Sequence, residues 1–432
     1  MDRLPTELIH LITQFLSTPS RAALARASRR YYQLLRLYVY TDVFLDDSSL
    51  KRCSTSIFLQ IIIHKPELAL AVRSLHLDPW DTESDVKRRT EEVVAELQDA
   101  WDLNLFKKVV HENPRFAKDA QLWYKGLEML NTDAFIALAM PRFANLRRLG
   151  IEYPYGCTFF DRVITEDFEG GSVVELFPKL EELHIAWYDT ENGINARKAT
   201  PFFSIPSLRK IDLDNSKVSD GLPAWIKLCR ELKSFRFVYG GMTSMDTFTT
   251  SPFGDTLELH AKTLERLWIE LTEPEDMCVD DDRPWIGSLA NYTALKVLCM
   301  PLAILLNCWD AENDALSQGP TPTLAEVVPP SLEVLVLEIG ECESAWLPGQ
   351  LEHMLRTNRC PRLKLLVVSS WARVPWQEKF EGVRRLCGEA GVALKSHYAR
   401  YLYSVWPPYS VAGVEPESEY WDSDEDGSAI VL

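Results

Sequence analysis

The sequence predicts an α/β protein in which helices at the N-terminus are followed by an α/β solenoid with parallel strands on its concave face. Three observations lead to this prediction. A hexad of the form L-x-x-L-x-L recurs through most of the chain, stretches with helical spacing of apolar residues precede several hexads, and the first 40 residues are helical in pattern. No run approaches 18 consecutive apolar residues, so we expect no transmembrane helix.

Composition limits the classes of function. The chain has 432 residues, of which 46% are hydrophobic and 25% charged, so it can bury a large core and is not a disordered chain. Its net charge of −17 repels nucleic acids and anionic membranes, and we expect neither as a partner. Nine cysteines occur without any C-x-x-C spacing, and no signal peptide is recognisable, which predicts reduced thiols and a cytoplasmic and/or nuclear protein.

Residues 1–40 are predicted to form a separate helical unit. Apolar residues recur at helical spacing through 8–16, the segment 18–20 interrupts the pattern, and a second helix follows. Because so short a unit cannot bury all of its apolar side chains on itself, we expect a partner to cover the remainder. The unit also carries six arginines against Asp2 and Glu7, a local charge of +4 within an acidic protein.

The same segment resembles an F-box, in the form common among fungal proteins. The resemblance covers about the first 36 residues and is carried by the Leu-Pro start at 4–5 and the Ser-Arg-Arg-Tyr ending at 28–31, while the residues at 19–21 depart from the family pattern. An F-box implies docking on the acidic Skp-type adaptor of an SCF ubiquitin ligase, and through it to a cullin. The local charge of +4 is opposite in sign to that acidic adaptor, as an electrostatically complementary contact requires.

The positions that match the F-box motif are the candidate adaptor-binding residues. They are Leu4, Pro5, Leu8, Ile9, Ile12, Leu16, Leu24 and Ser28. In the alternative interpretation, these residues only form a core with the domain that follows them.

Nine hexads follow the helical unit, beginning at 72, 146, 180, 208, 232, 264, 295, 332 and 363. From 146 to 363 their spacing averages about 31 residues. Each hexad ends in strand-like alternation, and helical stretches such as 133–140 and 222–229 precede several of them. The segment resembles the divergent leucine-rich repeats that follow F-boxes in fungal proteins, which implies a solenoid over 146–395 after a helical linker with degenerate first repeats over 41–145. An ordinary α/β domain is the alternative.

Strand geometry predicts where a target protein binds. If the leucines of each hexad point inward, the residues that alternate with them line the concave face. Mixed charge with His and Trp suits a polar protein surface, and Arg and Trp are enriched at binding hot spots. The predicted contacts are His76, Asp78, Arg148, Glu152, Glu182, His184, Lys210, Asp212, Arg236, Arg266, Trp268 and Glu270. A strand face that is merely solvated is the alternative for any one of them.

The last three hexads depart from this polar pattern, because their alternating positions are apolar, as at Cys299, Val336 and Val367. Strands that are apolar on both faces are normally covered on both. We therefore expect either the segment 398–409 or the bound target to cover them. Residues 396–413 are predicted to be an aromatic capping segment, and 414–432 a disordered acidic tail.

No motif in the sequence predicts catalysis. There is no H-E-x-x-H, no phosphate-binding glycine loop and no G-x-S-x-G, and no cysteine lies in a distinctly basic stretch. We therefore expect no enzyme activity, metal or cofactor. The predicted function is that of a non-catalytic substrate receptor, in which the F-box binds the adaptor and the solenoid binds an unknown protein for ubiquitylation. An interaction scaffold that does not promote degradation is the alternative.

Overall fold

Parallel strands alternate with helices along the chain in a computed structural model of the protein. The structure describes residues 4–45, 54–165, 176–188, 205–216, 222–240, 251–271, 285–306, 322–339, 345–370 and 379–398. Within these ranges, the residues up to 187, together with 205–207, form a first compact unit. Residue 188 and the residues from 208 to 398 form a second.

Three helices open the first unit: α1 (Thr6–Gln14), α2 (Thr18–Ala27) and α3 (Arg29–Val39). Two serines begin the second and third of these helices. The hydroxyl of Ser17 accepts a hydrogen bond from the Ser20 backbone N–H, and the hydroxyl of Ser28 accepts one from the Tyr31 backbone N–H, so each satisfies a donor that the helix cannot pair internally. The structure therefore confirms a helical N-terminal segment, but packs it in the same unit as the first strands.

Four strands complete the sheet of the first unit: β1 (Asp42–Leu45), β2 (Ser74–Leu77), β3 (Arg148–Glu152) and β4 (Glu182–Ala186). Each pairs in parallel with the next. The helices between them are α4 (Ser54–His64), α5 (Pro66–Ala69), α6 (Glu83–Val86), α7 (Glu91–Ala100), α8 (Leu103–Glu112), α9 (Pro114–Ala117), α10 (Ala120–Glu128), α11 (Thr132–Ala139) and α12 (Phe159–Thr165). A 3-10 turn at Met140–Arg142 follows α11.

The second unit contains seven strands, each paired in parallel with the next. They are β5 (Lys210–Ser216), β6 (Ser234–Tyr239), β7 (Arg266–Leu271), β8 (Val297–Pro301), β9 (Val334–Ile339), β10 (Leu365–Ser370) and β11 (Ala393–Tyr398). Its helices are α13 (Leu222–Leu228), α14 (Ser251–Glu258), α15 (Leu302–Leu306), α16 (Leu324–Val327), α17 (Leu347–Arg356) and α18 (Glu381–Ala390).

Most of the described strands begin with the same hydrogen-bonding pattern. The carbonyl of Arg147 accepts bonds from two successive N–H groups before and at the start of β4, and the carbonyl of Lys233 does the same for β7. The carbonyl of Lys296 does so for β9. One backbone turn therefore recurs from repeat to repeat, which confirms the internal repetition that the hexads predict.

Alternation gives each strand two faces. The hexad leucines and their equivalents form the leucine face, which is buried throughout, as at Leu149, Phe235 and Leu366. The residues between them form the variable face. The strand register aligns equivalent hexad positions, since His76 lies opposite Gly150, and Asp212 opposite Arg236. The strands therefore pair in the register that aligning the hexads in the sequence predicts.

Two strands lie outside the nine hexads. Strand β1 follows the N-terminal helices directly, within the predicted linker, and β11 extends to Tyr398, three residues beyond the predicted end of the solenoid. Each pairs with a single neighbour among the described strands, β1 with β2 and β11 with β10, so each needs less of the leucine pattern than a central strand does. The rest of the predicted capping segment and the predicted acidic tail lie outside the described residues.

Candidate interaction surfaces

Helix α1 and its C-terminal cap expose a row of apolar side chains. Leu8, Leu11, Ile12 and Phe15 follow the i, i+3, i+4, i+7 spacing of one helix face, and between 44% and 83% of each residue is exposed. We call these four residues the α1 stripe. A contiguous apolar patch on a protein surface is typical of a site that binds another protein.

The opposite side of α1 is fixed to the two helices that follow. Ile9 is buried with Ala25, Tyr31 and Leu35 in one core cluster. His10 Nδ1 lies 2.7 Å from the hydroxyl of Tyr38, which is a further hydrogen bond between α1 and α3. The α1 stripe therefore lies on the outer side of a three-helix unit whose inner side is already packed.

The structure divides the predicted adaptor-binding residues into two groups. Pro5, Leu8 and Ile12 are exposed. Ile9 is buried, so the prediction that it contacts the adaptor directly is corrected, whereas Ser28 caps α3 and is partly buried. The other three, Leu4, Leu16 and Leu24, are partly buried.

Two further residues belong to this surface, although the motif comparison does not select them. Leu11 and Phe15 complete the α1 stripe, and Phe15 is its most exposed member at 83%. The signal that identifies them is the helical spacing from Leu8, which places all four side chains on one face. A family motif records only the positions that recur, whereas the spacing records the whole face.

Charge around the helices is distributed unevenly. Arg26, Arg29 and Arg36 are exposed. Arg21 instead points inward and forms an ion pair with the buried Asp42 of β1 at 2.9 Å. The second carboxylate oxygen of Asp42 pairs with Arg148 of β3, also at 2.9 Å, so this carboxylate ties α2 to the strands.

The variable face of the first unit gathers a histidine and two carboxylates. His76, Asp78 and Glu152 each place a ligand atom within 4.8 Å of the others. His76 Nε2 lies 3.2 Å from Asp78 Oδ1. The residues come from two strands, so no linear metal motif reveals them. The signal in the sequence is the hexad alignment, which puts the ends of β2 and β3 side by side.

The variable face of the second unit is built around one arginine. The two guanidinium nitrogens of Arg236 pair with Asp212 and with Asp214, each at 2.8 Å. Burial alone lowers the pKa of Arg236, but the two aspartates outweigh it and raise that pKa above its ordinary value. Glu270 accepts a hydrogen bond from Trp268 Nε1 at 3.0 Å, and burial raises the pKa of this glutamate.

Burial corrects part of the predicted recognition surface. Five of the predicted contacts are buried and so are not the accessible residues that strand alternation predicts: His76, Asp212, Arg236, Trp268 and Glu270. The predicted contacts that remain at least partly accessible are Asp78, Arg148, Glu152, Glu182, His184, Lys210 and Arg266. Alternation identifies which face a side chain is on, but it does not show whether that face is covered.

The apolar strands of the second unit form a cluster on the variable face. Cys299, Val336 and Val367 are buried together with Trp268. This confirms the expectation that the face is covered at these strands. The segment 398–409, which we expect to cover it, lies outside the described residues apart from Tyr398.

The five cysteines among the described residues are free thiols buried in the core. Burial raises the pKa of the Cys360 thiol to about 11, which disfavours the thiolate that nucleophilic chemistry needs. Burial raises the pKa of Cys387 to about 11 as well.

No family model matches the sequence, and no curated protein is significantly similar to it. Within the described ranges, no helix is both long and apolar enough to cross a lipid bilayer.

Proposed function

We propose that the protein is the substrate-recognition subunit of an SCF-type ubiquitin ligase. The α1 stripe binds a Skp-type adaptor, and the variable face of the strands binds a target protein. The observation that carries the proposal is the exposure of Leu8, Leu11, Ile12 and Phe15 on a helix whose other side is already packed. An apolar helix face of this kind is buried by insertion into a groove of another protein.

Charge supports the choice of an acidic partner. The exposed arginines of α2 and α3 flank the same helical unit, which has a local charge of +4 in a chain whose net charge is −17. Opposite charge on the partner speeds association and excludes partners of the wrong sign. A Skp-type adaptor is acidic, as the resemblance to an F-box implies, and so fits both the apolar and the charged part of the surface.

The accessible part of the variable face supports the second half of the proposal. On the first unit, Glu182 and His184 place a carboxylate and an imidazole on the variable face, and on the second unit Lys210 and Arg266 place two basic groups there. Charged and polar side chains of this kind give specificity for a polar protein surface more than affinity. The ligase then acts by proximity, because a tethered target has a high effective concentration near the enzyme that transfers ubiquitin.

Co-purification tests the proposal. Intact protein is expected to capture both the adaptor and a cullin from cells, and the double variant Leu8→Ala with Ile12→Ala is expected to lose both. The control is Leu259→Ala, which removes a leucine outside the helical unit that is more exposed than Leu8 or Ile12. Capture of the adaptor without a cullin favours the scaffold instead, and equal capture by the double variant overturns the proposed docking surface.

A further inference from the structure

The register of the first unit places two carboxylates beside each other. Leu77 of β2 lies opposite Ile151 of β3, and carrying this register one residue further sets Asp78 beside Glu152. The Asp78 N–H donates to the Leu45 carbonyl at 3.0 Å, so the chain is still extended at this point. The register therefore brings the two carboxylates to adjacent positions on neighbouring strands.

The imidazole of His76 is the third group beside these two carboxylates, and neighbouring rings fix its orientation. The His76 ring is stacked on Phe44 with centroids 5.0 Å apart and planes 8° from parallel. On its other side is His184, with ring centroids 6.3 Å apart. Neighbouring strands are separated by about 4.8 Å, so β2 and β4 are about 9.6 Å apart and the two rings lean toward each other. They do so over Gly150, which has no side chain and lies opposite both.

We propose that His76, Asp78 and Glu152 bind a divalent transition-metal ion of the zinc type. One imidazole nitrogen and two carboxylate oxygens are ligands that zinc accepts, and three protein ligands leave a fourth position open. In a tetrahedral site with bonds near 2.0 Å, neighbouring ligand atoms lie about 3.3 Å apart. His76 Nε2 and Asp78 Oδ1 already have this spacing at 3.2 Å, and the largest separation in the set is within 4.8 Å.

The surroundings of the three residues favour metal binding over a surface ion pair. His76 is buried, and the side chain of Asp78 is only 18% exposed, so the ligands are partly withdrawn from water before any ion binds. A ring stacked on one side and flanked on the other loses little rotational freedom on coordination, which lowers the entropic cost of binding. The site is independent of the α1 stripe, and it does not depend on the proposed ligase function.

Titration of the full chain with ZnCl₂, followed by calorimetry, tests the inference. The wild-type protein is expected to bind one Zn²⁺ ion at this site, and His76→Ala with Glu152→Gln is expected to weaken that binding at least about tenfold. The control variant, His111→Ala with Glu112→Gln, removes an exposed histidine and glutamate on α8 and is expected to bind as the wild type does.

Two further measurements keep the inference falsifiable. If His76→Ala impairs folding, Asp78→Asn with Glu152→Gln keeps the side-chain shapes and is expected to show the same loss. Titration with Co²⁺ reports the ligand type, because thiolate ligands give an intense near-ultraviolet charge-transfer band and His and carboxylate ligands do not. Unchanged affinity in both double variants, or binding that shows only the thiolate band, overturns the proposed site.

Discussion

At the scale of single residues, Arg236 is a buried charge of the second unit that depends on its two partners. Its guanidinium is buried and pairs with Asp212 and Asp214 at 2.8 Å each. Removing one partner of a buried ion pair leaves an uncompensated charge and costs about 3–5 kcal/mol. We predict that Arg236→Met lowers the free energy of unfolding by about that amount, as measured by urea denaturation.

The same substitution at the surface provides the control for Arg236. Arg385 pairs with Glu389 at 2.9 Å, but both side chains are about 60% exposed. Exposed pairs contribute little, so Arg385→Met is expected to change the free energy of unfolding by less than about 1 kcal/mol. Equal effects of the two substitutions would contradict the role of burial in this account.

Two buried carboxyl groups, Asp133 and Asp161, are expected to make the stability of the protein depend on pH. Asp133 accepts hydrogen bonds from the backbone N–H groups of Thr158, Phe159 and Phe160, at 2.8, 2.6 and 3.1 Å. These bonds occupy the first N–H groups of α12. Asp161 lies in the same helix, and burial, followed by the negative charge of Asp133, raises the pKa of Asp161 to about 8.

The raised pKa of Asp161 predicts lower stability at higher pH. Between about pH 4 and pH 8, this group has lost its proton in the unfolded chain but keeps it in the folded protein, so the folded state binds one more proton. Its contribution to the free energy of unfolding therefore falls by up to about 1.4 kcal/mol per pH unit across that window. We predict that Asp161→Asn removes this slope.

Denaturation at pH 5, 6, 7 and 8 checks the prediction for Asp161. The stability of Asp161→Asn relative to the wild type is expected to rise steadily over this range and to level off above pH 8. Using the difference between the two proteins cancels the titration of all other groups. A difference that stays constant with pH would show that Asp161 is ionised in the folded protein.

At the scale of elements, helix α18 ends at a glycine with a left-handed backbone conformation, which can be tested by substitution. Gly391 has a φ of 71° and closes the helix in the left-handed conformation, where its N–H bonds back to the last turn. Gly388 is exposed within the same helix, and an added Cβ there meets nothing within 4 Å. We predict that Gly391→Ala destabilises the protein by about 1 kcal/mol and that Gly388→Ala stabilises it by about 0.5–1 kcal/mol.

Thermal unfolding of the two glycine variants measures the predicted loss of stability and the predicted gain of stability within one helix. The opposite signs follow because alanine favours helical φ and disfavours positive φ. A stabilising Gly391→Ala substitution would show that α18 does not end in a left-handed residue.

The elements themselves were largely predictable from the hexads. The pattern from Leu146 to Val368 marks strands β3 to β10, because buried parallel strands need apolar residues at fixed positions. Strands β1 and β11 were not predicted, since both lie at an edge and carry less of the pattern. In α1, helical spacing alone predicts the apolar face, and tertiary packing decides that Ile9 is buried and Phe15 exposed.

At the scale of the whole molecule, the candidate sites were harder to predict than the fold. His76, Asp78 and Glu152 lie 2 and 74 residues apart in sequence, and only the register of β2 and β3 brings them together. Trp268 alternates like a surface residue but is buried beside Cys299. Its burial depends on what packs over the strand, and alternation within one strand carries no information about that neighbour.

The central claim is that the α1 stripe binds an acidic adaptor. Truncating a contact residue near the centre of an interface costs about 1.4 kcal/mol or more, so losing two such residues weakens binding by about 100-fold or more. Both Leu8 and Phe15 are exposed, and substituting them is expected to leave the free energy of unfolding almost unchanged.

The most direct measurement is the dissociation constant of the full chain with a purified Skp-type adaptor. We predict a one-to-one complex that Leu8→Ala with Phe15→Ala weakens about 100-fold or more, while Leu259→Ala changes the dissociation constant less than about twofold. Absence of a complex with the wild-type protein, or equal affinity of the wild type and the double variant, would contradict the account.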